Sequence, residues 1–342
     1  MDDPRFLRPK PLTAGSRVAA LSLSSGFVTE VPHRYAAGVR QAAESLGWEI
    51  VPAPNALRGP DYLYANPQAR ADDLHWALQN PGIDGLVSII GGDDSIRLLP
   101  YLDPDIIRAH PKAFMGYSDA TVTLTQFLKA GVMVYHGPAV LTDLAENGGM
   151  HPYAVRGIQQ AFGTESYDLS PAPEWTQARQ DWEDEAAQNV RRPFEAGDGW
   201  TWLQEGTGEG HLLGGCVEIL DMLSGTPGEL PLEMWRGAIM ALETSNDVPP
   251  PSQVGYWLRN WAAKGVLQGL SGLMLARPRD YTPEMTEQLY TWVRRVLKEA
   301  GREDLPVVAN VDFGHTSPQL CLPLGAQVRL DSAAGTVTVW PG

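Results

Sequence analysis

The chain has 342 residues, enough for about two domains at ~150 residues each. Its 43% apolar and 20% charged residues are typical of a folded protein with a sizeable core. Acidic residues outnumber basic ones by 41 to 26, and the net charge of −15 disfavours binding to nucleic acid or to anionic membranes. Two cysteines cannot build a disulfide framework or a cysteine-based zinc site, and no convincing metal cluster is visible, so we expect no cofactor. Without a signal peptide or a segment of ~18 apolar residues, we expect a cytoplasmic protein.

The first half of the chain alternates short apolar runs with amphipathic stretches. The predicted strands are residues 17–23, 85–90, 112–116 and 132–135, and the predicted helices are residues 32–46, 68–78 and 119–130. Continuous apolar strands separated by helices are typical of a parallel sheet covered on both faces, with right-handed crossovers. The sequence therefore predicts a doubly wound α/β domain.

The middle of the chain has a different composition. Pro, Gly, Trp and acidic residues dominate residues 166–210 without a sustained period, and four tryptophans lie there: Trp175, Trp182, Trp200 and Trp202. Exposed aromatic side chains lower solubility unless they cover something. We interpret this segment as an inter-domain connection that is too rich in tryptophan to be an inert linker.

The last part of the chain predicts a second domain. Its predicted strands are residues 238–242, 270–275, 307–311, 326–330 and 336–340, and its predicted helices are residues 252–264 and 283–300. We therefore expect an N-terminal domain over residues 1–165 and a C-terminal domain over residues 211–342, joined by residues 166–210.

A serine stands where one predicted strand passes into a helix, in Gly116-Tyr117-Ser118-Asp119-Ala120. Small residues two before and two after a nucleophile are what a sharp strand-to-helix elbow requires. The elbow also puts the N–H of the following residue at a helix N-terminus, where it can stabilise an oxyanion. The alternative is that Ser118 only caps the helix, the commonest role for a serine there.

A serine nucleophile needs a base, and two of the seven histidines follow predicted strands in glycine-containing loops, His136 and His315. Strand ends of this kind open onto a crevice in α/β proteins. The other five lie beside or within helices, where we expect exposure, or in the irregular segment: His33, His75, His110, His151 and His211. The residues alone do not separate His136 from His315.

The third member of such a site is an acid that orients the imidazole. Glu243 comes directly after an apolar strand and before a proline-stiffened loop; a solvent-facing strand end is the alternative interpretation. Gly91 and Gly92 follow another strand, where backbone N–H groups can approach an anion or a nucleotide closely. Cys216 is a second conceivable nucleophile, but its apolar neighbours favour a buried, inert thiol.

Six segments taken together resemble the LD-carboxypeptidase and microcin C immunity family of serine peptidases. They are, in order, GGDDSIRLLPYLD, FMGYSDAT, YHGPA, LLGGCVEILDMLSGTP, LETS and VDFGHTSPQLCLPLGA. The resemblance implies a triad of Ser118, Glu243 and His315, with an oxyanion hole formed by the N–H groups of Gly92 and Asp119. It also implies a flavodoxin-like N-terminal domain, a smaller β-rich C-terminal domain and a homodimer.

Two features resemble the microcin-immunity branch of that family. Asp93 follows the paired glycines where murein LD-carboxypeptidases usually carry an aromatic residue, and the Trp-rich segment is longer than their connection. In that branch aromatic residues of this region stack on the adenine of an aminoacyl-nucleotide. The resemblance thus implies substrate contacts by Asp93, Trp175 and Trp182; packing at the domain interface is the alternative for the tryptophans.

The expected activity is hydrolysis, through a serine ester, of an amide-type bond near a free C-terminus or between an acidic aminoacyl group and a nucleotide analogue. The substrate is then a small peptide or an aminoacyl-nucleotide. A murein LD-carboxypeptidase is the first alternative. An esterase of the α/β-hydrolase type and a non-catalytic protein that sequesters a nucleotide conjugate are the others.

Overall fold

Two large β-sheets and a small two-stranded sheet organise the described residues of the computed structural model, which are 5–179 and 181–341. The strands are β1 Arg17–Leu21, β2 Glu49–Pro52, β3 Gly85–Ser88, β4 Ala113–Gly116, β5 Val134–His136, β6 Tyr167–Leu169, β7 Glu174–Trp175, β8 Glu195–Ala196, β9 Thr201–Gln204, β10 Thr207–Cys216, β11 Ile239–Glu243, β12 Gly272–Ala276, β13 Val307–Val311, β14 Leu322–Leu324, β15 Gln327–Asp331 and β16 Thr336–Trp340. The helices are α1 Pro32–Leu46, α2 Pro60–Ala65, α3 Pro67–Gln79, α4 Pro104–Ala109, α5 Thr121–Lys129, α6 Pro152–Phe162, α7 Val217–Met222, α8 Leu232–Trp235, α9 Pro251–Ala263, α10 Val266–Gly269 and α11 Pro283–Glu299.

The first sheet has six strands in the order β14-β5-β4-β3-β1-β2. Its five N-terminal strands are mutually parallel, and β14 joins the edge of β5 in antiparallel orientation. Every residue of β3 and β4 is buried, because helices cover both faces of the sheet. The order 2-1-3-4-5 is that of flavodoxin-like proteins, which confirms the predicted doubly wound N-terminal fold.

The second sheet has eight strands in the order β6-β16-β15-β10-β11-β12-β13-β9. Strands β10 to β13 are parallel at its centre, and antiparallel strands flank them on both sides. The C-terminal region is therefore rich in β-structure, as expected. Within the described residues, no helix is long and apolar enough to span a lipid bilayer.

Each predicted helix and strand is present, with ends that differ by at most two residues. Two long elements that the sequence did not predict are α6, with 11 residues, and β10, with 10 residues, whose glycines read as irregular chain. A Cβ at Gly210 would lie 1.7 Å from the carbonyl oxygen of Gly237, and one at Gly214 would lie 1.8 Å from that of Ala241. Glycine lowers the strand propensity of this segment, but it allows a neighbouring backbone to approach closely, and the strand forms here. Strands β6 and β9 likewise come from the segment predicted to be irregular.

Two histidines lie elsewhere than predicted. His151 was expected to be exposed, but it is buried, and its Nδ1 accepts the N–H of Tyr153 at the start of α6. A histidine side chain can cap a helix when its ring nitrogen reaches a free N–H group there. His211 lies in β10 and not in an irregular segment, and its Nδ1 donates to the carbonyl oxygen of Gly325 at 2.8 Å.

The two sheets meet where α5 begins and β10 ends. The N–H of Cys216 donates to Thr121 Oγ1 at 3.1 Å, and Cys216 pairs with Glu243 in the neighbouring strand β11. Buried apolar side chains of both sheets form one continuous core across this seam. The carboxyl ends of β4 and β11 therefore lie close to each other, although they belong to different sheets.

Candidate active site

Ser118 occupies a strained turn directly after β4. Its φ of +59° lies in the left-handed region, which residues other than glycine rarely adopt. A Cβ at Gly116 would lie 2.9 Å from the Cβ of Ser88 and 3.1 Å from that of Ala120, so the residues flanking the turn have to be small. This is the geometry of a nucleophile elbow. No side chain caps α5, so Ser118 does not serve as its N-cap.

The side chain of Ser118 belongs to a chain of three contacting groups. His315 Nε2 lies 3.1 Å from Ser118 Oγ, and His315 Nδ1 lies 2.5 Å from Glu243 Oε2. Because a carboxylate only accepts hydrogen bonds, the Nδ1 proton points to Glu243, and the Nε2 lone pair faces the serine hydroxyl. The imidazole is thus held in the orientation and tautomer that a general base requires.

Burial and a neighbouring glycine fix the position of Glu243, the acid in this series of contacts. Glu243 is the last residue of β11, whose five residues are all buried. Gly314 has a φ of +86°, and a Cβ there would lie 2.3 Å from Glu243 Oε2. Only glycine therefore lets the loop before His315 pass so close to the carboxylate. Arg279 donates to the carbonyl oxygen of His315 at 3.0 Å and holds the same loop from outside.

His136, the other candidate base, lies behind Glu243. Its Nε2 is 3.5 Å from Glu243 Oε1, on the opposite side of the carboxylate from His315. Burial lowers the pKa of His136, so its ring is neutral at pH 7. The structure thus brings His315, and not His136, to the hydroxyl of Ser118.

The paired-glycine loop after β3 passes directly beside the serine. A Cβ at Gly91 would lie 3.0 Å from Ser118 Oγ and 3.4 Å from the backbone nitrogen of Asp119. The peptide that joins Gly91 to Gly92 and the N–H of Asp119 therefore border the same space. Sequence reasoning named Gly92 and gave Gly91 no role of its own, although Gly91 makes the closer approach.

A buried aspartate joins the elbow to this loop. The carboxylate of Asp119 accepts the N–H of Ser95 at 2.9 Å, and the backbone carbonyl of Asp119 accepts the Ser95 hydroxyl at 2.7 Å. Burial raises the pKa of the Asp119 carboxyl. Ser95 is a supporting residue that the sequence did not single out, because its partner is 24 residues away in the chain.

A cavity of about 750 Å³ opens over the serine, and Ser118, His315, Gly92 and Asp93 all line it. Trp182 lines the same cavity; its ring lies 6.1 Å from that of Phe27. The guanidinium of Arg34 lies 4.5 Å from the same indole, a cation–π contact.

Trp175 is placed differently from Trp182. It lies in β7 and does not line the cavity over Ser118. The guanidinium of Arg277 lies 4.3 Å from its ring. Of the two tryptophans predicted to contact substrate, the structure therefore brings only Trp182 to the serine.

Charged groups of both signs line this cavity. Arg192 makes a buried bidentate pair with Glu146, and Arg179, whose side chain is 82% exposed, lies 3.5 Å from Asp280 at the rim. Three further carboxylates line the cavity and form no salt bridge with any described residue: Asp93, Glu218 and Asp247. The cavity can therefore accept a substrate that carries both an anionic and a cationic group.

Cys216 lines the cavity as well, but it is a poor nucleophile. Burial and the neighbouring carboxylates of Glu243 and Glu218 raise the pKa of its thiol well above the usual range. A thiol held neutral in this way reacts slowly. In the part of the chain that the structure describes, no group of three or more His, Cys, Asp or Glu side chains is arranged to hold a metal ion.

Comparison with known families agrees with this arrangement. Residues 18–137 match the N-terminal domain of LD-carboxypeptidases, and residues 209–330 match their C-terminal domain. The chain belongs to the LD-carboxypeptidase family. These enzymes are serine peptidases, and the two matched ranges contain Ser118 in the first, and Glu243 and His315 in the second.

The relatives of this LD-carboxypeptidase family member include a microcin self-immunity protein and a probable murein peptide carboxypeptidase. The microcin C7 self-immunity protein MccF of Escherichia coli is 26% identical over 334 residues, which cover 94% of this chain and 92% of that protein. A Bacillus subtilis protein named "Probable murein peptide carboxypeptidase" is 26% identical and covers 87% of this chain, with 85% of its own length matched. A crystal structure of an MccF-like protein from Streptococcus pneumoniae in complex with AMP aligns with a TM-score of 0.85 at 27% identity, over 95% of this chain and 98% of that one.

Proposed function

We propose that Ser118, His315 and Glu243 are the nucleophile, the general base and the orienting acid of a serine carboxypeptidase. The observation that carries this proposal is the unbroken series of contacts from Ser118 Oγ to His315 at 3.1 Å and on to Glu243 at 2.5 Å. Membership of the LD-carboxypeptidase family supports it.

The proposed reaction is acyl transfer to water. His315 Nε2 takes the proton of the Ser118 hydroxyl as the oxygen attacks an amide-type carbonyl, and Glu243 stabilises the imidazolium. The N–H groups of Gly92 and Asp119 receive the oxyanion, and one such donor contributes about 2.7–4 kcal/mol. His315 then gives its proton to the leaving amine, and a water molecule activated by the same imidazole hydrolyses the serine ester.

We propose an aminoacyl-nucleotide, or a close analogue, as the substrate. The indole of Trp182 lies in the cavity that contains Ser118, and an aromatic face there can stack on a base. Arg179 at the rim is exposed and can pair with an acidic aminoacyl side chain. The AMP complex of the Streptococcus pneumoniae relative supports this substrate class.

A murein peptide is the second candidate substrate. The carboxylates of Asp93, Glu218 and Asp247 line the cavity and can attract the free amine of a diamino acid in such a peptide. The Bacillus subtilis relative supports this alternative. The two candidates share one mechanism and differ only in the group that the cavity binds.

The test is mass-spectrometric hydrolysis of an aspartyl-sulfamoyl adenosine, a murein tetrapeptide and acidic dipeptides by wild type and Ser118→Ala. We expect the wild type to cleave the adenosine conjugate and Ser118→Ala to lose roughly 10³-fold or more in rate. Ser332→Ala is the matched control, because its hydroxyl serves only the turn at Gly206 and full activity should remain.

Other outcomes identify the alternatives. Cleavage of the tetrapeptide alone assigns the murein activity, and turnover of p-nitrophenyl esters without amide hydrolysis assigns an esterase. Tight binding of the adenosine conjugate without cleavage, unchanged by Ser118→Ala, assigns a sequestering protein and contradicts the proposed mechanism. Loss of hydrolysis on addition of EDTA would also contradict it, because the proposed mechanism uses no metal.

A further inference from the structure

His136 is a fully buried histidine that the reaction above does not use. It is the last residue of β5, and only 1% of its surface is exposed. The rings of Tyr117 and Phe313 pack against it edge-on, at centroid distances of 6.2 Å and 5.8 Å. A polar ring enclosed by aromatic side chains needs a hydrogen-bond partner, since burial without one is unfavourable.

The oxygen of Glu243 that His315 leaves free lies close to His136. Glu243 Oε1 is buried and has no hydrogen bond of normal geometry to any described residue, and neither has either ring nitrogen of His136. The two orphaned groups face each other, with Nε2 3.5 Å from Oε1. A contraction of a few tenths of an ångström converts this contact into a hydrogen bond of ordinary length.

The direction of that hydrogen bond follows from the chemistry of the two groups. The pKa of His136 is lowered by burial, so the ring is neutral and carries one N–H. An ionised carboxylate only accepts, so the proton belongs on Nε2. Because His136 is a neutral donor, it leaves the negative charge of Glu243 available to stabilise the imidazolium of His315. A cation in the place of His136 would partly neutralise that charge.

We propose that His136 is a positioning residue that donates from Nε2 to Glu243 Oε1 and so presents Oε2 to His315. This inference rests on the proposed triad. Glu243 then lies between two histidines with different tasks: one moves the proton of Ser118, and the other holds the carboxylate that stabilises the first. His136 itself touches no reacting atom.

The experiment measures covalent labelling of Ser118 by a fluorophosphonate probe, which does not depend on the natural substrate. His136→Phe removes the donor and keeps a ring, whereas His136→Gln keeps an N–H near the position of Nε2. We expect His136→Phe to lower the maximal labelling rate 10- to 100-fold, the effect of one hydrogen bond to a charged group, with the half-saturating probe concentration unchanged within about 2-fold. His136→Gln should recover most of that loss.

His151→Phe is the matched control, because it makes the same change at a buried histidine that caps α6 and lies outside the cavity over Ser118. Its labelling rate should equal that of wild type. Equal losses in His136→Phe and His136→Gln, or a change confined to the half-saturating concentration, would mean that the N–H of His136 does not position Glu243, and the proposal would fail.

Glu243→Gln separates this proposal from the proposed function. If Glu243→Gln labels as fast as wild type, the triad is wrong and the role of His136 falls with it. If Glu243→Gln is slow and His136→Phe is fast, only the role of His136 is overturned. We expect Glu243→Gln and His136→Phe both to be slow. The variant that combines them should be no slower than Glu243→Gln alone, since a positioning residue has no effect once its carboxylate is gone.

A second comparison applies if His136→Phe does not fold. Recovery of the labelling rate in His136→Gln but not in His136→Asn, whose amide lies nearer the Nδ1 position, then decides the same question.

Discussion

At the scale of single residues, two glycines determine how closely the site can assemble. Gly91 leaves room for the Ser118 hydroxyl, and Gly314 leaves room for the carboxylate of Glu243. Neither glycine contributes a side chain to the chemistry, and both lie where a methyl group would occupy the space of a reacting or orienting atom. The geometry of the proposed site therefore depends on the side chains that Gly91 and Gly314 lack as well as on the side chains that take part.

Gly314→Ala tests whether the space beside Glu243 has to stay free. The new methyl group would lie 2.3 Å from the oxygen that accepts from His315, so we expect Glu243 to shift and the rate of Ser118 labelling to fall about 10²-fold. Gly335→Ala is the control: its φ of +69° imposes similar strain, but nothing lies within 4 Å of the added Cβ. Wild-type labelling in Gly314→Ala would show that the carboxylate position is not critical.

The two tryptophans give a second prediction at this scale. Trp182→Ala should raise the dissociation constant of AMP, measured by calorimetry, by about 10-fold or more, since stacking on a base contributes roughly 1–3 kcal/mol. Trp175→Phe changes an aromatic ring that lies under Arg277 and outside the cavity, so it should leave AMP binding unchanged. The opposite pattern would assign the stacking to Trp175.

At the scale of elements, a buried aspartate links the first sheet to the loop that carries His315. Asp143 accepts the N–H of Gln319 at 3.2 Å and its side-chain amide at 2.8 Å, and burial raises the pKa of Asp143 to about 6. The native state therefore takes up a proton at higher pH than the unfolded chain, whose aspartates titrate near 3.9. The contribution of Asp143 to the stability of the fold thus increases as the pH falls from about 6 to about 4.

Asp143→Asn removes this titration and keeps an oxygen for the N–H of Gln319. We expect the difference in unfolding free energy between wild type and Asp143→Asn, measured in urea, to change by about 1–3 kcal/mol between pH 7 and pH 4, in favour of wild type at the lower pH. Use of the difference cancels the effect of the partly buried His75 and His211, whose lowered pKa values act in the opposite direction. A difference that is constant with pH would contradict the raised pKa.

The same scale shows how much the sequence could predict. Apolar runs located the strands that end before Ser118, at Glu243 and before His315, because strand burial is a local property of the pattern. Local sequence could not distinguish His136 from His315, because both follow predicted strands. Only the packing of one sheet against the other decides which ring contacts the serine. Strand β10 was missed for a related reason, since its glycines serve contacts with distant backbone. The family resemblance supplied the assignment that the pattern could not.

At the scale of the whole molecule, the proposed triad is divided between two sheets. Ser118 follows a strand of the first, and Glu243 and His315 follow strands of the second. The seam between them is narrow: a Cβ at Gly215 would lie 2.5 Å from Thr121 Cγ2, three residues beyond Ser118. The domain boundaries at residues 165 and 210 stay a prediction, and strand β14 returns from the C-terminal region to the first sheet.

Gly215→Ala should open this seam. We expect Ser118 labelling to fall at least about 10-fold while far-ultraviolet circular dichroism stays that of wild type, because both sheets persist and only their alignment changes. Adding Thr121→Ser removes the clashing methyl group and keeps the hydroxyl that accepts from Cys216, so part of the rate should return. No recovery in the double variant would show that the seam does not control the alignment.

The place of β14 in the first sheet also bears on when a newly made chain becomes active. Domains tend to fold in the order in which they leave the ribosome, so the serine is in place early. Its proposed base, His315, lies 197 residues further along, and β14 completes the first sheet only after His315 has been synthesised. A nascent chain that has not yet reached His315 consequently carries the proposed nucleophile without the residue proposed to activate it.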